Sequence, residues 1–160
     1  MKNKEAPSLE RAKNYAFLLL KFRPRSEYEI YQRLKKKKLD EEVIKGVLSF
    51  LKEKAFLDDK LFTCAWIESR LKKPFGLHRI RQELKLKGID QQIINSQVAA
   101  LKEGYSEEEI VRKIARARLA KTKNIALQTA KRRIFSYLIR RGFSADIVSD
   151  TVKELWKQIY

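Results

Sequence analysis

The sequence predicts an all-α protein built from three tandem three-helix repeats that form an elongated, curved array. Apolar residues recur at helical spacing along the whole chain, and no alternating apolar segment lies between hairpin turns. One helix–turn–helix phrase also occurs three times, and repetition on this scale indicates a repeat architecture. A unit of one repeat would bury little core alone, so neighbouring units are expected to stack and share apolar faces.

The clearest copy of the phrase spans residues 80–94. Gly88 fits the left-handed residue that ends a helix, because it has no Cβ to clash. This places Leu84 and Ile89 at the two positions whose side chains touch in a Schellman ending. Asp90 then occupies the N-cap position of the following helix.

The other two copies have their turns at Lys38 and Gly142. A non-glycine residue in the left-handed region costs about 1–2 kcal/mol, so we expect the turn at Lys38 to be looser or differently shaped. The positions that match the phrase are Ile30, Leu34, Leu39, Asp40, Val43 and Ile44 in the first copy, and Ile134, Leu138, Phe143, Ser144, Ile147 and Val148 in the third.

Capping residues and breaks divide the chain into a disordered tail, residues 1–7, and repeats at 8–57, 58–104 and 105–160. Ser26 with Glu29 and Ser106 with Glu109 have the spacing of capping boxes. Asn124 is a predicted break. The buried stripe of the fourth helix is expected to be Leu61, Phe62, Ala65, Trp66 and Ser69, and that of the seventh Ile110, Ile114 and Ala117.

The composition indicates an anionic partner. The 160 residues include 37 Lys and Arg against 20 Asp and Glu, a formal net charge of +17, which is a large excess for solubility alone. The 44% hydrophobic fraction argues against disorder. From residue 70 to 87 the only acid is Glu83, and from 110 to 145 there is none.

The predicted binding residues come from these two basic segments and act by charge pairing, without catalysis. A solvated helix face would usually mix charges of both signs, so binding is the favoured interpretation. The candidates are Arg70, Lys72, Lys73, Arg79, Arg81, Lys85, Arg112, Arg116, Lys131, Arg132 and Arg133.

Several residue types that could support catalysis or metal binding have simpler explanations. His78 is the only histidine and has no cysteine or acidic cluster at ligand spacing, so neither a metal nor a cofactor is predicted. Cys64, the only cysteine, is expected to be a small core residue, and its isolation fits a reducing cytoplasm. The pair Asp58–Asp59 is better explained by helix capping than by acid chemistry. No apolar run is long enough to cross a membrane. The sequence therefore predicts a binding protein and not an enzyme.

At several places the sequence resembles the RecX family. The matching residues are Phe56–Leu57–Asp58–Asp59, Phe62, Trp66–Ile67 and Arg70, then Gly76, Arg79–Ile80, Glu83–Leu84 and Lys87–Gly88–Ile89–Asp90, with weaker matches at Leu18–Leu19, Pro24–Arg25–Ser26, Glu29 and Arg141–Gly142–Phe143–Ser144. Lys38 and Ala55 depart from the family, which usually has glycine there.

The resemblance implies a monomeric regulator of the bacterial recombinase RecA. Such proteins are modular arrays of three-helix units, thought to bind the groove of the RecA–single-stranded-DNA filament and to suppress its activities. The single-stranded DNA would be contacted directly or through RecA. One alternative is a stand-alone DNA- or RNA-binding protein, since paired helices with a short turn resemble helix-turn-helix units. Another is a helical scaffold for an acidic protein.

Overall fold

The computed structural model describes residues 5–101, 104–122 and 125–158, with side chains from residue 8 onward. These residues form nine helices and no strand. The helices are α1 (Glu5–Phe22), α2 (Glu27–Lys36), α3 (Glu41–Glu53), α4 (Asp59–Leu71), α5 (Leu77–Leu86), α6 (Gln91–Ala100), α7 (Glu107–Ala120), α8 (Leu127–Arg140) and α9 (Ala145–Lys157). The predicted break at Asn124 and residues 1–4 of the predicted tail lie outside the described part, and α1 begins at Glu5.

The chain divides into two units, and the division cuts through α4, α5 and α6. The first unit holds residues up to 66 together with 84–94, and the second holds 67–83 together with the residues from 95 onward. The core of the first unit lies between α1, α2 and α3. The side chains of Ala16, Ile30, Leu34 and Ile44 are completely buried there, because the apolar stripes of these helices face one another.

The core of the second unit lies between α7, α8 and α9. Val111 and Ala115 of α7 are completely buried against Ile134, Leu138 and Val148. The other buried side chains of this cluster are at most 5% exposed. The third-copy positions Ile134, Leu138, Phe143 and Val148 are buried as predicted, whereas Leu127 at the start of α8 is 40% exposed.

The turn after α5 has the predicted Schellman geometry. Gly88 has a φ of 71°, its N–H donates to the Lys85 carbonyl over 2.9 Å, and the Ile89 N–H donates to the Leu84 carbonyl over 3.1 Å. Gly142 repeats this geometry after α8, with a φ of 83°.

The turn at Lys38 is looser than the two glycine turns, as expected, because the described hydrogen bonds include none from the Leu39 N–H to the Leu34 carbonyl, the bond equivalent to that between Ile89 and Leu84. Lys38 itself is nevertheless left-handed. Its φ is 55°, in the same left-handed region, and its N–H donates to the Lys35 carbonyl over 2.9 Å. A second difference lies in what surrounds the turn. A Cβ on Gly88 would overlap the Cβ of Tyr28, whereas Lys38 is exposed and its side chain has open space.

The two glycine turns pack against the N-terminus of an earlier helix in equivalent ways. In the first unit, the Ser26 hydroxyl donates to the Lys87 carbonyl over 2.6 Å. In the second, the Gly76 N–H donates to the Arg141 carbonyl over 2.9 Å. These contacts repeat because Ser26 and Gly76 precede corresponding helices, so each turn covers backbone groups that would otherwise lack partners.

The first of these junctions also carries a partly buried ion-pair network. Lys87 lies 3.0 Å from Glu29, which also accepts from Arg23 over 2.8 Å, and the Lys87 ammonium lies 4.2 Å from the centre of the Trp66 ring. Burial opposes ionisation of Glu29, but hydrogen bonds from Arg23, Lys87 and the Ser26 N–H outweigh it and lower the pKa of Glu29 to about 2.

Helix capping accounts for Asp58 and Asp59 as predicted, in part across helices. Ser26 and Glu29 form the full capping box, with both reciprocal hydrogen bonds. The Asp58 carboxylate accepts from the Leu61 N–H over 3.0 Å, at the start of α4. Asp59 instead accepts from the Glu27 N–H over 2.9 Å and so caps α2. Burial raises the pKa of Asp59, which this hydrogen bond partly offsets.

The predicted inward stripe of α4 is shifted around the helix. Leu61 is 69% exposed, and Ala65, Ser69 and Cys64 are also exposed, so Cys64 is not a core residue. The buried positions are Phe62, Thr63 and Ile67, with Trp66 half-buried. A threonine can take a core position here because its hydroxyl donates to the Asp59 carbonyl over 2.6 Å.

Candidate functional site: a basic groove between α7 and α8

The predicted cations separate into paired and unpaired groups. Arg70 and Arg79 both reach Glu83, over 2.6 and 3.0 Å, so one carboxylate partly neutralises two of the candidates. Arg81 donates to the side-chain oxygen of Asn95 over 2.8 Å. Arg112 pairs with Glu108 over 2.9 Å, and with Glu154 of α9. These four arginines therefore have partners within the chain.

The remaining candidates lie in four places. Lys72, Lys73 and Arg133 line a groove in the second unit. Lys131 and Arg132 line a smaller hollow with Phe135, Val152 and Lys153. Arg116 is exposed on α7 outside the lining of either, and Lys85 is exposed on the part of α5 that belongs to the first unit.

The groove has a volume of about 710 Å³ and is walled by the end of α4, the turn that follows it, α7 and α8. Its α7 wall consists of Ile110, Lys113, Ile114, Ala117, Arg118 and Lys121. This spacing of three and four residues is one continuous face of a helix. Arg133, Ile134 and Tyr137 give the opposing face of α8 in the same way.

Six cationic side chains surround the groove and no acidic residue belongs to its described lining. Lys72 and Lys73 come from the turn after α4, and the other four are Lys113, Arg118, Lys121 and Arg133. Because like charges in one groove repel, the arrangement favours the binding of negative charge from outside the chain.

The floor of the groove is apolar. Ile110 and Ile114 are half-buried and pack on the same core as Val111 and Ala115, which lie one position further round α7. The predicted stripe of Ile110, Ile114 and Ala117 is thus displaced from the core towards the groove, and Ala117 is exposed. The apolar face of α7 is wider than the core needs, and the extra width lines the groove.

Aromatic rings hold arginine side chains in place beside this floor. The Arg118 guanidinium lies 3.2 Å from the centre of the Tyr137 ring, and Arg141 lies 5.1 Å from the same ring. Phe75 is approached by Arg79 at 4.1 Å and Arg141 at 5.0 Å. Such stacking restricts the guanidinium groups without neutralising them.

The tyrosine ionisation responds to the same cations. Burial raises the pKa of Tyr137, but hydrogen bonds and charge interactions with Arg118 and Arg141 outweigh it, and the net shift is downward. The local potential at this wall of the groove is therefore positive.

Three cations of the groove are absent from the predicted set. Lys113, Arg118 and Lys121 belong to the acid-free segment, but the residues predicted on α7, Arg112 and Arg116, lie outside the groove lining. The missed signal is that Lys113, Ala117 and Lys121 continue the face that carries Ile110 and Ile114. Basic residues that continue an apolar helix face therefore indicate the position of the groove.

Within the described ranges, no group of three or more His, Cys, Asp or Glu side chains is placed to hold a metal ion. His78 is exposed at the start of α5, where its backbone N–H donates to the Gly142 carbonyl over 3.1 Å. None of the described helices has the length and apolar character needed to cross a membrane.

Comparison with protein families gives three consecutive matches. Residues 12–51, 58–96 and 106–152 match the first, second and third three-helix domains of RecX, respectively. These boundaries place α4, α5 and most of α6 in the second domain.

Relatives with assigned names agree with the domain matches. The chain is 34% identical over 154 residues to the regulatory protein RecX of Amycolatopsis mediterranei, covering 94% of this chain and 87% of the relative. It is 30% identical to the regulatory protein RecX of Thermobifida fusca, covering 90% and 78%, and 30% identical to that of Haemophilus influenzae, covering 87% and 91%.

Solved structures show the same fold. The crystal structure of RecX from Lactobacillus salivarius superposes with a TM-score of 0.80 at 20% identity, covering 94% of this chain and 97% of that one. A second RecX crystal structure superposes with a TM-score of 0.75 at 22% identity, covering 91% and 73%. With three family domains across the chain and named relatives along nearly all of it, this protein belongs to the RecX family of regulatory proteins.

Proposed function

We propose that this protein regulates the RecA recombinase by binding the RecA–single-stranded-DNA filament and inhibiting its activities. The observation that carries the proposal is the groove of the second unit, where six cations surround an apolar floor and no described lining residue is acidic. A charged groove of this kind is suited to a negatively charged partner that also offers shape and apolar surface. Membership of a regulatory family supports binding over catalysis.

The proposal includes the other cations in a supporting role. Lys131 and Arg132 form a second basic hollow in the same unit, and Arg116 is an exposed cation on α7. Contacts from several places on one chain act as linked sites, so individually weak contacts can give a stable complex. We propose that the protein acts as a cytoplasmic monomer, with repeats at 8–57, 58–104 and 105–160.

The test is RecA ATPase activity and strand exchange on single-stranded DNA with this protein added. We expect both activities to fall as the protein approaches the RecA concentration. Full activity at equal concentrations would contradict the proposal. RecA alone, without DNA, is the control that separates an effect on the filament from an effect on the free recombinase.

A stand-alone DNA- or RNA-binding protein is the second candidate, favoured by the two basic hollows of the second unit. It predicts tight binding to nucleic acid in the absence of RecA. Each phosphate neutralised should contribute about −0.7 to −0.9 to the slope of log affinity against log salt. Sequence-selective binding that RecA does not improve would favour this candidate, and a helical scaffold for an acidic protein predicts no dependence on nucleic acid.

A further inference from the structure

The groove combines two features that call for different chemistry in a ligand. Its rim is cationic, whereas its floor is formed by Leu71, Ile110, Ile114, Ala117 and Ile134. A phosphate chain can pair with the rim but has nothing apolar to place on an aliphatic floor. A ligand that satisfies both must carry negative charge and apolar side chains together.

Each aromatic ring of the groove has a guanidinium over one face. Sequence-tolerant binding of single strands uses bases stacked on open aromatic rings. Here the Tyr137 ring is covered by Arg118 at 3.2 Å, and the Phe75 ring by Arg79 at 4.1 Å. On that face of either ring, a base could stack only by displacing the guanidinium.

We infer that this groove binds an acidic, amphipathic segment of a protein, with apolar side chains on the floor and carboxylates against the rim. The inference deepens the proposed function, and rests on it for the assumption that the segment belongs to the protein component of the filament. The nucleic acid then meets cations elsewhere on the chain.

The geometry of α7 fits a helical occupant best. Ile110, Ile114 and Ala117 form a stripe along one face, with Lys113 and Lys121 beside it. A partner helix with apolar residues at three- and four-residue spacing would lay that stripe on the floor. Its flanking carboxylates would then reach the lysines and the fixed Arg118 guanidinium, as charge complementarity requires.

The experiment uses the full chain, labelled on isoleucine methyl groups and observed by NMR. The probe is a synthetic peptide of about 15 residues, long enough to form a helix, with leucines on one face and glutamates elsewhere. One comparison peptide has the same composition in scrambled order. A second comparison is a thymidine oligonucleotide of roughly 15 nucleotides.

We expect the amphipathic peptide to shift the methyl signals of Ile110 and Ile114, while those of Ile30 and Ile44, buried in the core of the first unit, stay unchanged. The scrambled peptide should bind about tenfold more weakly, because it offers the same charge without an apolar face. Equal binding of both peptides would overturn the inference, as would groove shifts with the oligonucleotide and none with the peptide.

Two variants make the test independent of any one side chain. Ala117→Trp adds volume to the groove at an exposed position and should weaken peptide binding at least about tenfold. Lys113→Ala with Lys121→Ala removes two rim charges and should weaken it about three- to tenfold. Circular dichroism establishes that each variant is folded, and unchanged peptide affinity in both would overturn the inference.

RecA assays separate this inference from the proposed function. If the wild type inhibits RecA and Ala117→Trp inhibits equally well, the function stands and the groove assignment is wrong. If the wild type binds the amphipathic peptide in the groove but never inhibits RecA, the groove assignment stands and the proposed function fails.

Discussion

Replacing Gly88 by alanine tests whether the turn after α5 is fixed by its own backbone and by the helix against which it packs. Gly88 has a φ of 71°, where an L side chain is strained. An added Cβ would also overlap the Cβ of Tyr28 and approach its Cδ1 to 2.8 Å. Neither atom lies at the flexible end of a side chain, so relief requires the backbone of the turn or of α2 to move.

The expected cost has two parts. The left-handed conformation costs about 1–2 kcal/mol for a residue with a Cβ. Inserting a methyl group into a filled contact costs about 1–3 kcal/mol more. Gly88→Ala should therefore lower the free energy of unfolding by about 2–5 kcal/mol, a large part of the stability of an ordinary domain.

Urea denaturation followed by far-UV circular dichroism gives the comparison, with two control variants. Gly104→Ala adds a Cβ that meets no atom within 4 Å, so its effect should stay within about 0.5 kcal/mol. Lys38→Gly relieves a φ of 55° at an exposed turn and should stabilise the protein by up to about 1 kcal/mol. A loss for Gly88→Ala no greater than that for Gly104→Ala would refute the reasoning.

Three further predictions concern single side chains. Glu29→Gln should lower stability at neutral pH, and its difference in stability from the wild type should shrink as pH falls from about 4.5 towards 2. The reason is that the pKa of Glu29 is lowered to about 2, so that its stabilising charge is lost over that range. The measurement is the urea midpoint as a function of pH, and a difference that stays constant would contradict the prediction. Asp59→Ala should cost about 1 kcal/mol by removing the acceptor for the Glu27 N–H, while Asp59→Asn keeps an acceptor and should cost less; equal losses in thermal denaturation would show that the cap is not the cause. Cys64 is exposed, so the folded protein should react with a thiol reagent at a rate within about tenfold of that for the unfolded chain, and protection until unfolding would contradict its placement.

Most of the fold follows from the sequence because three copies of one phrase reinforce each other. Gly88 and Gly142 indicate their turns because each turn requires a left-handed backbone conformation that few residues other than glycine adopt readily. At Lys38 the sequence indicates the strain of a non-glycine residue but does not show which residues surround the turn. Tyr28 requires glycine at position 88 by packing against it, whereas the exposed side chain of Lys38 has room.

The errors on α4 and α7 have one physical cause. Apolar spacing identifies a helical face but does not say how wide the buried part of that face is. On α4 the polar residue Thr63 takes a buried position, which its hydrogen bond to the Asp59 carbonyl permits and the sequence does not show. On α7 the apolar face is shared between core and groove, and only tertiary packing divides it.

The sequence predicted the segment in which the cations of the candidate site lie, but not which cations line the groove. The acid-free segment from 110 to 145 correctly indicated where unpaired cations gather. Glu83 lies among the basic residues in the sequence, but its two partners, Arg70 and Arg79, become evident only in three dimensions. The binding role of these cations and the elongated, curved array stay predictions.

The most direct test of the account is a titration of RecA ATPase activity on single-stranded DNA with the wild type and two double variants. Lys113→Ala with Lys121→Ala removes two charges from the groove, whereas Lys45→Ala with Lys157→Ala removes two exposed charges outside its lining. We predict inhibition by the wild type at RecA-matching concentrations, about three- to tenfold weaker inhibition by the groove variant, and no change in the control. Equal inhibition by all three proteins would contradict the role of the groove, and no inhibition by the wild type would contradict the proposed function itself.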